Sequence, residues 1–259
     1  MPMKPGDWVL LVSPDEKKFL FLLEPDKVLH THKGVIPHND LLSLSYGACY
    51  KDFILLKPTF EEIILKGIKR QTQIVYPKDA ALLAVKLNLP SAMRVLEIGA
   101  GSGAFTTFLS LVLPLQSKVI SYEVREEFYH LALKNVSRFG NPDRVELRLG
   151  DPRENLPESE FDAIFVDVKT PTDFLGLCWE KLKGGHPIAF SLPTTNQVQE
   201  LLGAMEQMRF TAIEVTELLE RKYKAVSARL RPHDRMVAHT VYLLTARKYS
   251  PSLPSPPML

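Results

Sequence analysis

The chain contains little cysteine, no long hydrophobic run and no motif typical of a metal site. Its two cysteines, Cys49 and Cys178, lie far apart, without a CxxC pair or a histidine at the spacing of zinc ligands. This scarcity argues against a disulfide framework and a bound metal, and it favours a reducing compartment. The longest apolar stretch, residues 108–115, contains Ser110 and Pro114 and is too short to span a bilayer. Because the first residues also lack a signal-peptide core, we expect a cytoplasmic protein without membrane contacts.

The net charge of the chain is also small. The 32 lysine and arginine residues nearly balance the 30 aspartate and glutamate residues, which leaves a net charge of +2. No overall positive field marks the chain as a nucleic-acid binder, so such a function would require local clusters of basic residues. The remaining composition, with 45% hydrophobic and 24% charged residues, excludes a collagen, a long coiled coil and a disordered chain.

The distribution of apolar segments divides the chain into three parts. Residues 1–62 alternate short strand-like segments with turn signals, which predicts a small all-β, barrel-like domain. Residues 63–248 alternate buried apolar runs with helix-length segments, which predicts an α/β domain with a mostly parallel sheet. The last two apolar runs have no clear helix between them, so we expect an antiparallel pair at the terminal edge of that sheet. Residues 249–259 are proline-rich, which predicts a disordered tail.

A glycine-rich turn is the most informative feature of the larger part. The apolar run at 94–98 leads directly into Gly99, Ala100, Gly101, Ser102, Gly103, Ala104 and Phe105, where a helix is predicted to begin. Glycines permit a tight turn and the close approach of a ligand to the backbone. Taken alone, the turn also matches the dinucleotide-binding fingerprint, with Glu123 at the position of a ribose-binding acid, and it is compatible with a role in packing only.

Four acidic residues indicate which kind of cofactor the turn binds. Glu97 precedes the first glycine by two residues, where a carboxylate suits the sulfonium cation of S-adenosylmethionine better than a pyrophosphate. Glu123, Asp151 and Asp167 follow the next three predicted strands, and the carboxyl ends of parallel strands share one edge of the sheet. We assign Glu123 to the ribose hydroxyls, Asp151 to the adenine amino group, and Asp167 to the space between the methyl group and its acceptor. A solvated strand-end residue is the alternative for Asp167. Together these acids indicate a class I, Rossmann-like methyltransferase domain.

Two segments outside the glycine turn are informative, namely Tyr76-Pro77-Lys78-Asp79, within residues 69–79, and His239-Thr240, within residues 231–243. They are the most specific part of a similarity to the TrmI-type tRNA adenine-N1 methyltransferases. It also includes segments 32–38 and 56–62, so that it extends from about residue 5 to residue 248. The resemblance implies S-adenosylmethionine-dependent methylation of N1 of the adenosine at position 58, in the T loop of tRNA, by a homotetramer.

The resemblance also assigns functions to individual residues. Residues 101–105 match the family's cofactor loop, Glu123 its ribose-binding acid, Asp167 its active-site aspartate and Tyr76 a tyrosine that lines the target pocket. We therefore expect Asp167 and Tyr76 to be the catalytic residues, although an aromatic residue before a helix-starting proline can also be a hydrophobic staple.

The loop after Asp167 departs from the family pattern. Family members usually have an acid, then a proline and a tryptophan, whereas residues 168–172 here read Val-Lys-Thr-Pro-Thr. Thr170 replaces the acid and Thr172 the tryptophan, which removes a stacking contact from this loop. Lys169 adds a positive charge beside the predicted pocket.

Basic residues concentrate in residues 221–235, which contain six of them and only one acid. The segment lies between the last two predicted strands, near the ligand edge of the sheet, so we expect it to bind RNA, with a solvated surface as the alternative. Its basic residues are Arg221, Lys222, Lys224, Arg229, Arg231 and Arg235. A second, weaker group consists of Lys66, Lys69, Arg70 and Lys78.

Two other functions remain open at this point. A protein isoaspartyl carboxyl methyltransferase has a similar glycine turn after a short amino-terminal segment, but the barrel-like domain and His239-Thr240 argue against it. Alternatively, the chain is a non-catalytic tRNA-binding subunit of a methyltransferase complex, for which the altered loop at 168–172 leaves room. The four acidic residues favour catalysis.

Overall fold

The computed structural model of the chain describes residues 1–71, 73–156 and 159–249. Contacts divide the chain into two compact units, residues 1–69 and 70–259. No helix in the described ranges is long and apolar enough to cross a membrane. Apart from residue 249, the tail for which we predicted disorder lies outside the described residues.

The first unit consists of short strands with a small terminal helix. The strands are β1 (Trp8–Val12), β2 (Lys18–Leu22), β3 (Val28–Thr31), β4 (Gly34–Pro37), β5 (Cys49–Tyr50) and β6 (Phe53–Leu56). The antiparallel sheet has the order β2-β1-β6-β5, while β3 and β4 form a separate hairpin, followed by a 3₁₀ turn at His38–Leu41. The alternation in β6, where Phe53 and Leu55 are buried and Ile54 and Leu56 are exposed, shows how one face of this sheet covers the core.

A capped helix ends the first unit. It consists of α1 (Phe60–Glu62) and a π-helical turn at Ile63–Gly67. The Glu62 carboxylate accepts hydrogen bonds from Thr59, at its backbone N and its Oγ1, and from Lys18 Nζ on β2, each at 2.8 Å. These bonds attach the helix to the first unit, which therefore continues to residue 69, beyond the boundary that we placed at residue 62.

The second unit alternates strands and helices. Its helices are α2 (Pro77–Lys86), α3 (Ala104–Val112), α4 (Glu126–Phe139), α5 (Pro152–Asn155), α6 (Leu175–Lys181) and α7 (Thr195–Glu206). Its strands are β7 (Arg94–Ile98), β8 (Lys118–Glu123), β9 (Val145–Leu149), β10 (Ala163–Val166), β11 (Pro187–Leu192), β12 (Phe210–Glu217), β13 (Tyr223–Lys224), β14 (Arg231–Pro232) and β15 (Tyr242–Lys248). Short 3₁₀ turns lie at Leu89–Ser91, Pro142–Arg144, Pro171–Phe174 and Ser227–Arg229.

Seven strands form the central sheet, in the order β12-β15-β11-β10-β7-β8-β9. The five strands from β11 to β9 are parallel, and β15 is antiparallel to both of its neighbours. The fold class that we predicted, a Rossmann-like sheet with an antiparallel terminal edge, is confirmed. β10 and β11 are buried along their whole length, and their sequences are apolar, apart from Ser191 in β11, rather than alternating.

The strand order reverses between β7 and β10. The chain proceeds from β7 to β8 and β9 in one direction, and then returns to place β10 on the other side of β7. In open α/β sheets such a switch point leaves a crevice at the carboxyl ends of the strands, where ligands bind. The glycine turn that follows β7 lies at this position.

Candidate active site

A cavity of about 630 Å³ opens at this switch point. The side of the sheet that contains β7, β8 and β9 contributes Glu97, residues 99–102, 104 and 105 of the glycine turn, Glu123, Arg125, Gly150 and Pro152. The side that contains β10, β11 and β15 contributes Asp167, Val168, Lys169, Ser191, Pro193, Gln197, Thr240 and Val241. The volume falls within the range of about 300–1,000 Å³ that is usual for small-ligand sites. We call the first half the donor half and the second the acceptor half.

The glycine turn requires glycine for space as well as for conformation. Gly99 has a φ of 96°, and a Cβ built on it would lie 2.2 Å from the carbonyl oxygen of Asp167. Gly103 has a φ of 75°, and its Cβ would lie 2.8 Å from Cα of Ala132 on α4. Neither position accommodates a side chain without displacing backbone. Gly99 therefore lets the turn pack against the end of β10, and Gly103 lets it pack against α4.

Glu97 is completely buried, and one of its carboxylate oxygens accepts two hydrogen bonds from neighbouring hydroxyls. The hydroxyls of Thr106 and Ser121 each donate a hydrogen bond of 2.5 Å to its Oε2. Burial raises the pKa of Glu97 to about 7, the two hydrogen bonds oppose this shift, and the charges of Asp167 and Glu123 add to it. The carboxyl therefore changes its charge near neutral pH.

Two buried polar atoms of the donor half have no hydrogen-bond partner among the described residues. They are Oε1 of Glu97 and Oγ of Ser102. Both residues line the cavity. Because buried polar atoms in proteins are almost always hydrogen-bonded, these two indicate that a polar ligand completes them.

Glu123, at the end of β8, connects the glycine turn to Arg125. Its Oε2 accepts a hydrogen bond of 2.8 Å from the backbone N of Gly101, and its Oε1 accepts one of 3.1 Å from Nε of Arg125. The Arg125 guanidinium also lies 3.8 Å from the centre of the Phe128 ring. A carboxylate held in this way beside the turn can accept hydrogen bonds from the hydroxyls of a ribose.

Asp167 follows β10 and faces the acceptor half. Its side chain lines the cavity, and its backbone N donates a hydrogen bond of 2.9 Å to the carbonyl oxygen of Ile98. Desolvation by the surrounding protein raises the pKa of Asp167 to about 6. A hydrogen bond from the side chain of Ser191 opposes this shift, and the charge of Glu123 adds to it. A carboxylate in this environment can accept a hydrogen bond from an acceptor substrate or stabilise positive charge on it.

Three of the residues predicted to bind the cofactor or the target base, Gly103, Asp151 and Tyr76, are not among those that line the cavity. Asp151 caps α5 and pairs with Arg153, whose Nε lies 3.0 Å from both carboxylate oxygens. The adenine contact that we predicted for Asp151 would require this pair to open. Tyr76 directly precedes α2, half-buried, with the Arg70 guanidinium 5.9 Å from its ring centre. The lining includes the three residues before it, 73–75, but not Tyr76 itself.

The structure adds a cluster whose bonding the sequence did not reveal. Lys78 Nζ donates to Asp79 Oδ1 at 2.7 Å and to Thr240 Oγ1 at 2.6 Å, and Thr240 Oγ1 donates to Asp79 Oδ2 at 2.9 Å. Asp79 is fully buried, and Thr240 lines the cavity. We call these residues the Lys78–Asp79–Thr240 triad. The sequence assigned Lys78 to a basic surface group, because Thr240 lies 162 residues from Lys78 and 161 residues from Asp79 along the chain, which hides the contact.

His239 connects the end of β12 with the residue that follows β11, Pro193. Its Nδ1 lies 2.7 Å from Glu217 Oε1, at the end of β12, and its Nε2 lies 2.9 Å from the carbonyl oxygen of Pro193. The Glu217 side chain, followed by the Pro193 carbonyl, raises the pKa of His239. Because both ring nitrogens face acceptors, the protonated ring fits this position best.

The predicted RNA-binding segment contains a small hairpin. Strands β13 and β14, which lie between β12 and β15 in the sequence, pair with each other. Asp234 forms ion pairs with Lys224 Nζ, at 2.5 Å, and with Arg231, at 2.7 Å. Lys222 lies 3.3 Å from Glu220. Among the described residues, the side chains of Arg221, Arg229 and Arg235 have no ion pair or hydrogen bond. These three arginines remain available to an anionic partner.

A metal site is absent from the part of the chain that the structure describes: no group of three or more His, Cys, Asp or Glu residues is positioned to hold a metal ion.

Sequence comparisons relate the chain to known proteins along most of its length. A family model described as the tRNA methyltransferase complex GCD14 subunit matches residues 52–242, and a model of the TrmI-like N-terminal domain matches residues 2–48. The tRNA (adenine(58)-N(1))-methyltransferase TrmI of Thermus thermophilus is 32% identical over 250 residues, which cover 93% of this chain and 98% of that protein.

Two solved structures are similar over nearly the whole chain. The tRNA (m1A58) methyltransferase TrmI of Aquifex aeolicus has a TM-score of 0.88 and 42% identity, and the match covers 97% of this chain and 100% of that one. A Thermotoga maritima protein described as an S-adenosylmethionine-dependent O-methyltransferase has a TM-score of 0.91 and 42% identity, with 97% and 96% covered. The chain belongs to the TrmI and GCD14 family of tRNA methyltransferases.

Proposed function

We propose that this protein transfers a methyl group from S-adenosylmethionine to N1 of the adenosine at position 58 in the T loop of tRNA. The observation that carries the proposal is the cavity in which the glycine turn and Glu123 face Asp167 and Thr240. The activity of the Thermus thermophilus and Aquifex aeolicus relatives supports the choice of substrate and position.

The donor half fits S-adenosylmethionine. The ligand carries an ammonium group and ribose hydroxyls, which are donors for the unpaired Oε1 of Glu97 and for the Glu123 carboxylate. Its carboxylate accepts hydrogen bonds, for which the unpaired Oγ of Ser102 is available as a donor. When bound, S-adenosylmethionine supplies an electrophilic methyl group.

The acceptor half then has to orient an adenine. N1 lies on the Watson–Crick edge of the base, so the nucleotide has to leave its stack to enter the cavity. Its ring lone pair needs no strong base for attack, which makes alignment the main contribution of the protein. Asp167 accepts from the exocyclic amine and stabilises the positive charge that develops on the ring. Tyr76, beside the lining residues 73–75, packs against the base as it enters.

Binding of the remaining tRNA is assigned to the segment around the β13–β14 hairpin. Its free arginines are suited to phosphate groups. As the resemblance implies, we also propose that the protein is a homotetramer, which sedimentation equilibrium would measure directly.

The test is identification of the product. The protein is incubated with labelled S-adenosylmethionine and an unmodified tRNA transcript, and the modified nucleoside and its position are determined. We expect 1-methyladenosine at position 58 and loss of the label when that adenosine is replaced by guanosine. A ribose-methylated nucleoside would instead indicate O-methylation, as the description of the Thermotoga maritima structure suggests. Transfer to isoaspartyl peptides, or tRNA binding without transfer, would contradict the proposal.

A further inference from the structure

The acceptor half of the cavity contains a lysine whose charge is not neutralised. Among the residues that the structure describes, five charged side chains line the cavity, namely Glu97, Glu123, Arg125, Asp167 and Lys169. Arg125 is paired with Glu123. In the described parts of the chain, the ammonium group of Lys169 has neither a hydrogen bond nor an ion pair, and the residue is exposed. The cavity therefore has one cation that is free to bind a ligand.

The backbone that carries this lysine is fixed. The carbonyl oxygen of Lys169 accepts a hydrogen bond of 3.0 Å from Nε2 of Gln197, in the first turn of α7. On one side, Val168 packs beside Gly99, and its Cγ1 would lie 3.0 Å from a Cβ added to that glycine. On the other side, the Thr170 hydroxyl donates a hydrogen bond of 2.8 Å to Asp173. Only the side chain of Lys169 is left free to adapt to a ligand.

The position of Lys169 suits the acceptor and not the methyl donor. It follows Asp167 by two residues, on the acceptor half, and it stands in the loop that departs from the family pattern. The only anionic group of S-adenosylmethionine is its carboxylate, which we place on Oγ of Ser102 in the donor half. A free adenosine carries no phosphate, whereas an adenosine within RNA has a phosphate on each side. Those negative charges are repelled by Asp167 and Glu123, and a nearby ammonium offsets this repulsion.

We propose that Lys169 binds a backbone phosphate of the target nucleotide and thereby makes the site select adenosine within RNA over free adenosine. The proposal rests on the proposed function, because it requires an RNA adenosine as the acceptor.

Binding measurements on the full chain test this proposal. We would measure the affinity for a T-arm hairpin RNA and for S-adenosylhomocysteine with Lys169→Met, Lys169→Arg and Lys134→Met. Lys134 is an exposed lysine of α4 that does not line the cavity, and it serves as the matched control. Lys169→Met should weaken RNA binding about tenfold, as expected for a lost charged hydrogen bond. The slope of log affinity against log salt should fall by about 0.7 to 0.9. Lys169→Arg should stay near wild type, and S-adenosylhomocysteine should bind equally to all four proteins.

A neutral phosphate locates the contact. In hairpins with a methylphosphonate on one side of the target adenosine or the other, one substitution should weaken wild-type binding about tenfold. The same substitution should not weaken Lys169→Met further, because both changes remove one interaction. Additive effects, or equal losses for Lys169→Met and Lys134→Met, would overturn the proposal. If Lys169→Met methylates tRNA like the wild type, the proposed function stands and this proposal fails. If the wild type does not methylate tRNA adenosine, the proposed function itself fails.

Discussion

Lys78 and Thr240, which are 162 residues apart in the sequence, are joined by a hydrogen bond of 2.6 Å from Nζ to Oγ1. Asp79 accepts a hydrogen bond from each of them and is fully buried. The segments at 76–79 and 239–240, which resemble the family most specifically, therefore meet in the Lys78–Asp79–Thr240 triad at the wall of the cavity.

Asp79→Asn should destabilise the second unit. The amide leaves the largely buried Lys78 ammonium, only 13% exposed, without a counter-ion. Breaking a buried ion pair from one side costs about 3 kcal/mol, so the free energy of unfolding should fall by about that amount in urea titrations. Glu200→Gln, on the exposed face of α7, is the control and should have no effect. A loss below about 1 kcal/mol would show that the triad contributes little to stability.

Gly99→Ala should be far more damaging than a helical glycine substitution. The added Cβ would meet the carbonyl oxygen of Asp167 at 2.2 Å, at a backbone φ of 96°, so the end of β10 has to move. We expect a loss of about 3 kcal/mol in thermal unfolding. Gly203→Ala, in α7, meets nothing within 4 Å and should stabilise the protein by about 0.5 to 1 kcal/mol. Equal effects of the two substitutions would contradict the tight contact at Gly99.

Affinity for S-adenosylmethionine should rise with pH. The pKa of Glu97 is raised to about 7 and that of Asp167 to about 6. Because folding raises both pKa values, the two carboxyl groups add to the free energy of unfolding at a pH below the ordinary carboxyl pKa. This addition is lost as the pH rises through about 6 for Asp167 and about 7 for Glu97. A sulfonium and ammonium ligand favours the carboxylates, so binding should release protons over the same interval.

Calorimetry in buffers of different ionisation enthalpy measures this proton release. Glu97→Gln should remove most of the pH dependence above about pH 6, because Glu97 has the higher pKa. An affinity that is constant from about pH 5.5 to about pH 8, the interval that spans both titrations, would mean that neither carboxyl changes its charge on binding.

Asp167→Asn should reduce turnover while leaving the fold intact. The amide is isosteric but cannot stabilise positive charge on the adenine, and the loss of such a group costs about 10² to 10³ in kcat. S-Adenosylmethionine affinity should change far less, because the glycine turn and Glu123 remain. Glu127→Gln, an exposed residue of α4, is the control for handling and folding. Nearly normal turnover of Asp167→Asn in single-turnover assays would remove Asp167 from the mechanism.

The arginines of the hairpin segment should differ in their effects according to their partners. Replacing Arg221, Arg229 and Arg235 with methionine should lower tRNA affinity and reduce its salt slope by about 2 to 3, since these side chains have no ion pair among the described residues. Replacing Lys224 and Arg231, which share an acidic partner, should change the slope less. Equal effects per charge would indicate that the ion pairs open when tRNA binds.

The sequence predicted the architecture well, because burial leaves a direct pattern. The apolar runs at β10 and β11 predicted strands of a mostly parallel sheet, and the turn at 99–103 predicted the edge at which a ligand binds. The antiparallel edge was predicted from the absence of a helix before the last strand, and the pairing of β12 with β15 confirms it.

The contacts within the site were less predictable, because they depend on residues far apart in the chain. Nothing local shows that Lys78 and Thr240 meet, or that Arg153 occupies both oxygens of Asp151. The hairpin of β13 and β14 was also missed, since strands of two residues leave no periodic pattern. The roles assigned to Asp151 and Tyr76 stay predictions.

The place of β15 in the sheet has a consequence for synthesis on the ribosome. β15 is the last strand in the described chain, yet it lies between β11 and β12, and β12 has no other strand partner in the described sheet. A nascent chain that has emerged only as far as β12 exposes the edge of β11 and lacks Thr240 at the cavity wall. Binding of the methyl acceptor therefore has to await the emergence of β15, which inserts between β11 and β12.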